Sequence, residues 1–266
     1  MLNDFFKLRG DLSKRTSTLV EVLGIGFLIV VWELVTYFQL IPNSLLPPPH
    51  RVVYSFYELH FEDALIRNVG YSLEINILGY LEAIFLAVPI GFVLGLFPVF
   101  REMFNHSINT FRFLPLTALT GLFIAWFGIE TNMKVHFLAF GIIVYLLPIV
   151  IQRIKEVENV YTDTAYTLGA TSWQQIRYIF IPSVLAKISD DLKIILAISW
   201  TYIIAAEVVN KTAGGVGALA YTCARQSRID KVFALLLIII LIGFIQDKFF
   251  TWLDRLFFQY KHVKTC

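Results

Sequence analysis

Charge is scarce in this chain: Asp, Glu, Lys and Arg make up 16% of its 266 residues, against about 25% in ordinary soluble domains. That scarcity excludes a disordered or nucleic-acid-binding protein and argues against a soluble globular fold. The net charge of +2 is too mild to imply a polyanionic partner. Cysteine is nearly absent. Cys223 and Cys266 have neither metal-ligand spacing nor the density of a disulfide framework, so both are expected as free thiols. The five histidines are scattered, and the chain has no GxxxxGK[ST] phosphate loop, no HExxH and no GxSxG. No catalytic site, metal site or cofactor site is therefore expected in this chain itself. What it does have is 57% hydrophobic residues, a mean hydropathy of +0.69 and apolar runs along its whole length. Lipid is the expected solvent for most of it.

The polar, basic stretch 1–18 precedes an apolar run from Leu19 to Leu40. A signal peptide would look similar, but Glu21 and Glu33 interrupt the run and no small-residue cleavage site follows, so a retained first membrane helix is predicted. Five further spans are predicted at Ile75 to Val99, Leu114 to Phe127, Val135 to Ile151, Leu185 to Val209 and Val232 to Leu253. The expected architecture is thus all-α: a cytoplasmic tail over 1–18, six membrane helices within 19–260 and a short tail over 261–266. Six crossings put both termini on one side. Under this topology 15 of the 22 Lys and Arg residues, Arg101 and Arg112 among them, lie on that side, which assigns it to the cytoplasm of a plasma membrane. The third span, 14 residues long, is short for a hydrocarbon core of about 30 Å.

Two hydrophilic segments interrupt the spans. The outer one, Ile41 to Ser72, holds LLPPPHRVV, which reads as extended backbone. The inner one, about 152–183, holds DTAYTLGATSWQQIRYIFIP from Asp163 to Pro182. Asp163 and Thr164 are good helix starters and Gly169 interrupts a helix, so the spacing predicts a helix, a turn at Gly169 and a second helix ending at Pro182. Such a helical knob on the cytoplasmic face suits docking to a soluble partner.

At this segment the chain resembles a known family. An acidic residue (Asp163), an alanine two later (Ala165), a glycine four after that (Gly169), nine residues and then Ile179-Phe180-Ile181-Pro182 resemble the EAA loop of binding-protein-dependent ABC importer permeases. Asp163 and Thr164 depart from the usual first two letters. LLPPPHRVV, FRFLPLTALTGLFIAWFGI (Phe111 to Ile129) and AAEVVNKTAGGVGAL (Ala205 to Leu219) resemble the nitrate, sulfonate, taurine and bicarbonate branch of that family. The resemblance implies a type I importer permease fold, a second copy of the permease as partner, two separate ATPase subunits that carry ATP and Mg, and an external solute-binding protein. It also implies that the coupling helix within Thr162 to Trp173 enters a groove of the ATPase. Asp163, Thr164, Ala165, Tyr166, Gly169, Ala170, Thr171 and Trp173 are then the coupling residues: the small ones permit close approach, and Tyr166 and Trp173 can fill pockets.

Polar groups inside spans are costly and must face protein or water. Glu207, near Trp200, Thr201, Tyr202 and Asn210, either lines the pathway or caps the GG-V-G turn that follows. Thr117, Thr120 and Trp126 offer hydroxyl and indole donors to a passing ligand, or bond within the helices. Glu33, Glu74 and Glu82 suit structural roles near span ends, and Gly91 and Gly95 form a GxxxG packing pair. Arg225, Arg228 and Lys231 in the last outer loop favour an anionic solute or form a docking patch. A membrane scaffold recruiting the same inner partner remains an alternative, as does a gradient-driven secondary transporter, which normally needs paired intramembrane charges and more spans.

Overall fold

The computed structural model describes residues 12–211 and 213–262. Cys266, Lys7, Arg9, Lys264 and most of the two predicted tails lie outside the described residues. In chain order the helices are α1 (Lys14–Tyr37), α2 (Pro49–Phe61), α3 (Leu65–Leu96), α4 (Pro98–Phe111), a 3₁₀ turn (Leu116–Leu119), α5 (Thr120–Phe127), α6 (Thr131–Lys155), α7 (Asn159–Thr167), α8 (Ser172–Gln175), a π-turn (Ile176–Phe180), α9 (Ile181–Val209), α10 (Val216–Arg225) and α11 (Ile229–Phe257). Among the described residues there is no strand. Among the described residues five helical stretches are long and apolar enough to cross a bilayer: α1, α3, α6, the run Ser172–Val209 and α11. A sixth crossing exists if the bent pair Pro98–Phe111 and Leu116–Phe127 counts as one span.

The chain forms two compact units, 1–63 with 223–234, and 64–222 with 235–266. In the first, α1 exposes nearly all its apolar side chains and buries only Thr36, as a lipid-facing helix should. Trp32 donates its indole N–H to the Pro47 carbonyl at 3.0 Å. The proline run is extended only as far as Pro48. Pro49 begins α2, because the first helical position needs no N–H and proline's fixed φ already suits it. The expectation of an extended LLPPPHRVV is therefore met only at Pro47 and Pro48: the N–H groups of Leu45 and Leu46 both turn back to Pro42 O, and the helix starts at Pro49.

In this unit Arg228 pairs with Glu58 and Asp230, Lys231 meets Asp63 at 2.6 Å, and Ser55 Oγ donates to Asp230 at 3.0 Å. Two of the three outer cations are thus neutralised by their own unit. Only Arg225 stands exposed, so the loop charges no longer favour an anion. Cys223 is buried and free, and burial pushes its thiol above the usual range.

In the second unit α3, α6 and α9 form the core, with Ile75, Ala83 and Ala87 against Leu138, Ile142, Leu146 and Val150, and Ile188, Ile195 and Ile203 alongside. Because lipid is as apolar as these side chains, packing rather than water exclusion holds the helices together, and glycine sets the approach. A Cβ on Gly91 would lie 2.6 Å from Val150 Cβ, and one on Gly95 2.6 Å from Ile154 Cδ1. Gly91→Ala should therefore cost about 1–3 kcal/mol by overpacking, read as a lower melting temperature in detergent. An unchanged melting temperature would mean that α3 and α6 pack less closely than this. Glu82 joins the same pair of helices, lying 2.8 Å from His136 Nδ1 in a hydrogen bond.

Three boundaries differ from expectation. The second span runs from Leu65 to Leu96 and breaks at Phe97 before Pro98. The predicted third span is a 3₁₀ turn and a two-turn helix, lying at 95° to α4. Pro115 and the run Leu116–Thr120 prevent α4 from continuing straight. Pro182 does not end the inner helix. A π-turn at Ile176–Phe180, in which Ile181 N–H bonds to Ile176 O, widens the backbone ahead of the proline ring, so that Ser172–Val209 continues as one stretch.

Candidate functional site

Four clusters of polar or exposed residues mark the second unit along α6 and α9.

The first is an exposed knob made of α7, the turn at Gly169 and α8. Glu158 is the N-cap of α7, so Asp163 and Thr164 sit inside the helix rather than at its start, and Thr164 Oγ1 bonds back to Val160 O at 2.6 Å. After α7 the backbone closes with Ala170 N–H on Ala165 O at 2.9 Å and Gly169 N–H on Tyr166 O at 3.0 Å, with Gly169 at φ +78°. This is a Schellman stop, and it requires the left-handed residue that glycine supplies. Thr171 then caps α8: its hydroxyl accepts from Gln174 N–H while its own N–H donates to Gln174 Oε1 at 2.7 Å. This capping box was readable as T-x-x-Q. Asp163, Thr164, Tyr166, Gly169, Thr171 and Trp173 are exposed, and Tyr166 (77%) and Leu168 (82%) stand clear of the chain. Ala165 and Ala170 are partly covered. Trp173 also borders an apolar groove of its own chain with Phe92, Leu96, Ile181 and Leu185.

Where α6 leads into the knob and α9 leaves it, ions tie these two helices to each other. Arg153 grips Asp191 through two bonds of 2.7 Å and Glu156 through a third of 2.7 Å, and Lys187 donates to Glu156 O at 3.1 Å. The Arg153 guanidinium holds the Glu156 carboxyl below the usual range. Beside this cluster Lys261 and Ser189 share Asp254, and Lys193 lies 3.7 Å from it.

At the other ends of the spans lies the Glu207 corner. Glu207 and Lys134 are both fully buried. One carboxylate oxygen of Glu207 accepts from Ser72 Oγ at 2.6 Å and the other from Gly217 N–H at 2.7 Å. Ser72 Oγ accepts in turn from Val216 N–H at 2.9 Å, Asn68 Oδ1 from Gly215 N–H at 2.9 Å, and Gly214 O from Lys134 Nζ at 3.3 Å. Gly214 (φ +86°) and Gly215 (φ +112°) are left-handed, and any Cβ on Gly215 would run into the Glu207 carboxyl. The geometry is that of a carboxylate anchoring the GG-V-G turn. Ser72, Asn68 and Lys134 were missed in the sequence because they lie just beyond the predicted span ends, although an ionisable residue beside a span is itself a signal.

The remaining candidates divide. Trp200 is buried, with its indole on Gln246 Oε1 at 2.6 Å, and Asn210 donates to Ile129 O at 2.6 Å. Thr120 is buried and bonds to Thr117 O at 2.8 Å. These three serve their own chain. Thr117, Trp126 and Thr201 are exposed, and Tyr202 is half-buried, its ring stacked on Tyr145 at 6.4 Å. Arg112 lies 5.9 Å from the Tyr145 ring, alongside the middle of α6. The backbone break after α4 carries it there, which the sequence pattern did not foretell.

Comparisons with known proteins identify the family and the fold. The family of binding-protein-dependent transport system inner membrane components matches residues 83–259, which include the knob and Glu207. Similar proteins include the taurine transport system permease TauC of Escherichia coli, 28% identical over 91% of this chain and 88% of its own. The putative aliphatic sulfonates transport permease SsuC of Bacillus subtilis is 26% identical over 94% and 90%, and the nitrate import permease NrtB of Synechococcus elongatus is 24% identical over 88% of each. Among solved structures, an inward-facing MetNI methionine ABC transporter shares the fold at a TM-score of 0.62 and 17% identity, over 73% of this chain and 95% of that one. A bacterial ABC transporter that imports alginate does so at 0.59 and 17%, over 91% and 96%.

Proposed function

The chain belongs to the family of inner membrane components of binding-protein-dependent transport systems, and on that premise we propose that two copies of it form the membrane pathway of an ATP-driven importer for a small oxyanion. Hydrolysis is assigned to two separate ATPase subunits and capture of solute to an external binding protein. The observation that carries this reading is the exposed knob: a short helix, a glycine stop and a capped turn with aromatic side chains aimed outward, set between the ends of α6 and α9 that Arg153, Asp191 and Lys187 hold together. A surface that rigid and that apolar suits a protein groove better than water.

In the proposed cycle loaded binding protein docks outside, ATP closes the ATPase pair, and the two knobs move together. The chain carries that motion into α6 and α9, which the bonds between Arg153 and Asp191 keep together, so the pathway opens outward to accept solute, and hydrolysis resets it. Solute must be held weakly here so that it leaves, and selectivity can reside in the binding protein. The solute class rests on the names of the similar permeases for taurine, sulfonates and nitrate, which share an anionic oxy-group.

Both termini and the knob are placed in the cytoplasm and Pro47 to Pro49 outside. With Cys223 and Cys266 removed, a Thr171→Cys chain in sealed cells should resist an impermeant thiol reagent and react once the cells are opened. Labelling in sealed cells would refute this topology. Copurification with an ATPase bearing a phosphate loop is the matching test of partnership, and full uptake by an ATPase-free complex would sink the reading.

A further inference from the structure

The position of Arg112 carries an inference about the pathway itself. α6 crosses the bilayer between two polar belts: Lys134 in the Glu207 corner near one end and Arg153 in the inner ion lattice near the other. Tyr145 is eleven residues from the first and eight from the second, so it sits about 17 Å and about 12 Å of helical rise from them, near mid-depth. Arg112 lies against its ring, in the break between α4 and the 3₁₀ turn. The guanidinium is exposed on the chain, and among the described residues it makes no ion pair. An uncompensated cation at that depth does not face lipid; it faces water or a second protein surface.

A polar cavity of ≈ 240 Å³ begins at Arg112 and runs between α4 and the inner half of α6, lined by Asn105, Asn109, Gln152 and Lys155. Lys155, at its inner mouth, is likewise exposed and in no ion pair among the described residues. The carboxylate nearest in sequence, Glu156, is held by Arg153. The cavity thus has a cation at each end and amides between, with no carboxylate among its lining residues, although the Gln152 amide donates to Glu156 Oε1 at 3.0 Å.

We propose that Arg112, backed by Tyr145 and Tyr202, and Lys155 form an anion subsite in the inner half of the pathway, taking the oxyanion head of a sulfonate, nitrate or bicarbonate-like solute on its way to the cytoplasm. Arg112 supplies the planar fork that matches two oxygens of such a head. Tyr145, with Tyr202 stacked behind it, holds the guanidinium at depth through its ring face and stops it from reaching the inner interface. Lys155 draws the anion onward. This deepens the proposed transport role and rests on it.

The test needs no knowledge of the solute and no ATPase. The full chain, with Cys223 and Cys266 replaced by serine and Asn109→Cys introduced, is placed in nanodiscs of phosphatidylcholine. Its reaction rates are compared for a sulfonated and a trimethylammonium methanethiosulfonate of similar size. The sulfonated reagent should be favoured, and Arg112→Gln should lower that preference at least about tenfold, the lower end of electrostatic focusing in a cleft. Arg112→Lys should retain most of it. Excess nitrate or methanesulfonate should slow the sulfonated reagent more than chloride at equal ionic strength. If Arg112→Gln does not insert, Lys155→Gln should still lower the preference.

An unreactive thiol at position 109, or a preference indifferent to both substitutions, overturns the proposal. So does protection by added phosphatidylglycerol without protection by free oxyanions, since the site would then hold a lipid headgroup. Failure of the ATPase to copurify would leave these rates untouched, so the two readings fail separately.

Discussion

Gly169→Asp is expected to abolish solute-stimulated ATP turnover, or association with the ATPase, while the protein still inserts and forms its dimer. Gly169 sits at φ +78° in the stop that closes α7, and a Cβ there meets nothing within 4 Å in this chain. The intrachain cost is therefore the left-handed strain alone, about 1–2 kcal/mol, borne by an exposed turn rather than by the core. The effect on coupling should be far larger, because the substitution adds bulk and charge to the tip of a knob whose neighbours Tyr166 and Leu168 point away from the chain. Gly169→Asn separates the two causes, since asparagine tolerates this backbone region better than other residues. If strain dominates, Asn should restore most of the turnover that Val would lose. If crowding in the partner's groove dominates, both should fail alike. Normal transport by Gly169→Asp with the ATPase bound would remove the coupling assignment of the whole segment.

Much of this architecture was legible in the sequence because apolar length is a direct report of what lipid demands. α3, α6, α9 and α11 follow the predicted spans, and the glycine at 169 marked its turn. What was not legible lies where the helices leave the lipid. α3 begins at Leu65, ten residues before the predicted span, because Arg67 and Asn68 are helical yet polar and hydropathy registers only the apolar part. The start of α7 was misplaced because Asp163 and Thr164 are good caps in isolation, whereas the chain uses Glu158. Pro182 reads as a stop, but the π-turn before it makes room for the ring. The place of Arg112 beside Tyr145 depends on where α4 lies and stops, and no local pattern encodes that or the 95° bend that follows. The Glu207 corner was half readable: the carboxylate and the glycines stood out, while their partners Ser72 and Asn68 come from a helix 135 residues or more away.

That corner leads to the second large effect. Glu207→Gln is expected to lower the melting temperature of the purified permease by several degrees and to reduce assembly, although the side chain keeps its shape. Both groups that contact Glu207, the Ser72 hydroxyl and the Gly217 N–H, are donors, and a carboxylate can accept both. An amide has one acceptor oxygen, so one buried donor must face an NH₂ group, a loss of about 1–3 kcal/mol. Lys134, also fully buried, bonds to the Gly214 carbonyl and lies over the Tyr71 ring; it would keep its charge after the carboxylate charge of this corner is gone, and a buried charge without a counter-charge is costly. Lys134→Met in the Glu207→Gln background should therefore recover part of the stability, whereas Lys134→Met alone should destabilise. Recovery in the double variant measured by thermal shift would assign Glu207 to holding the turn. A Glu207→Gln protein with unchanged melting temperature and assembly but altered uptake would instead place its carboxylate at the solute, and the bonds to Ser72 and Gly217 would then have to break during transport.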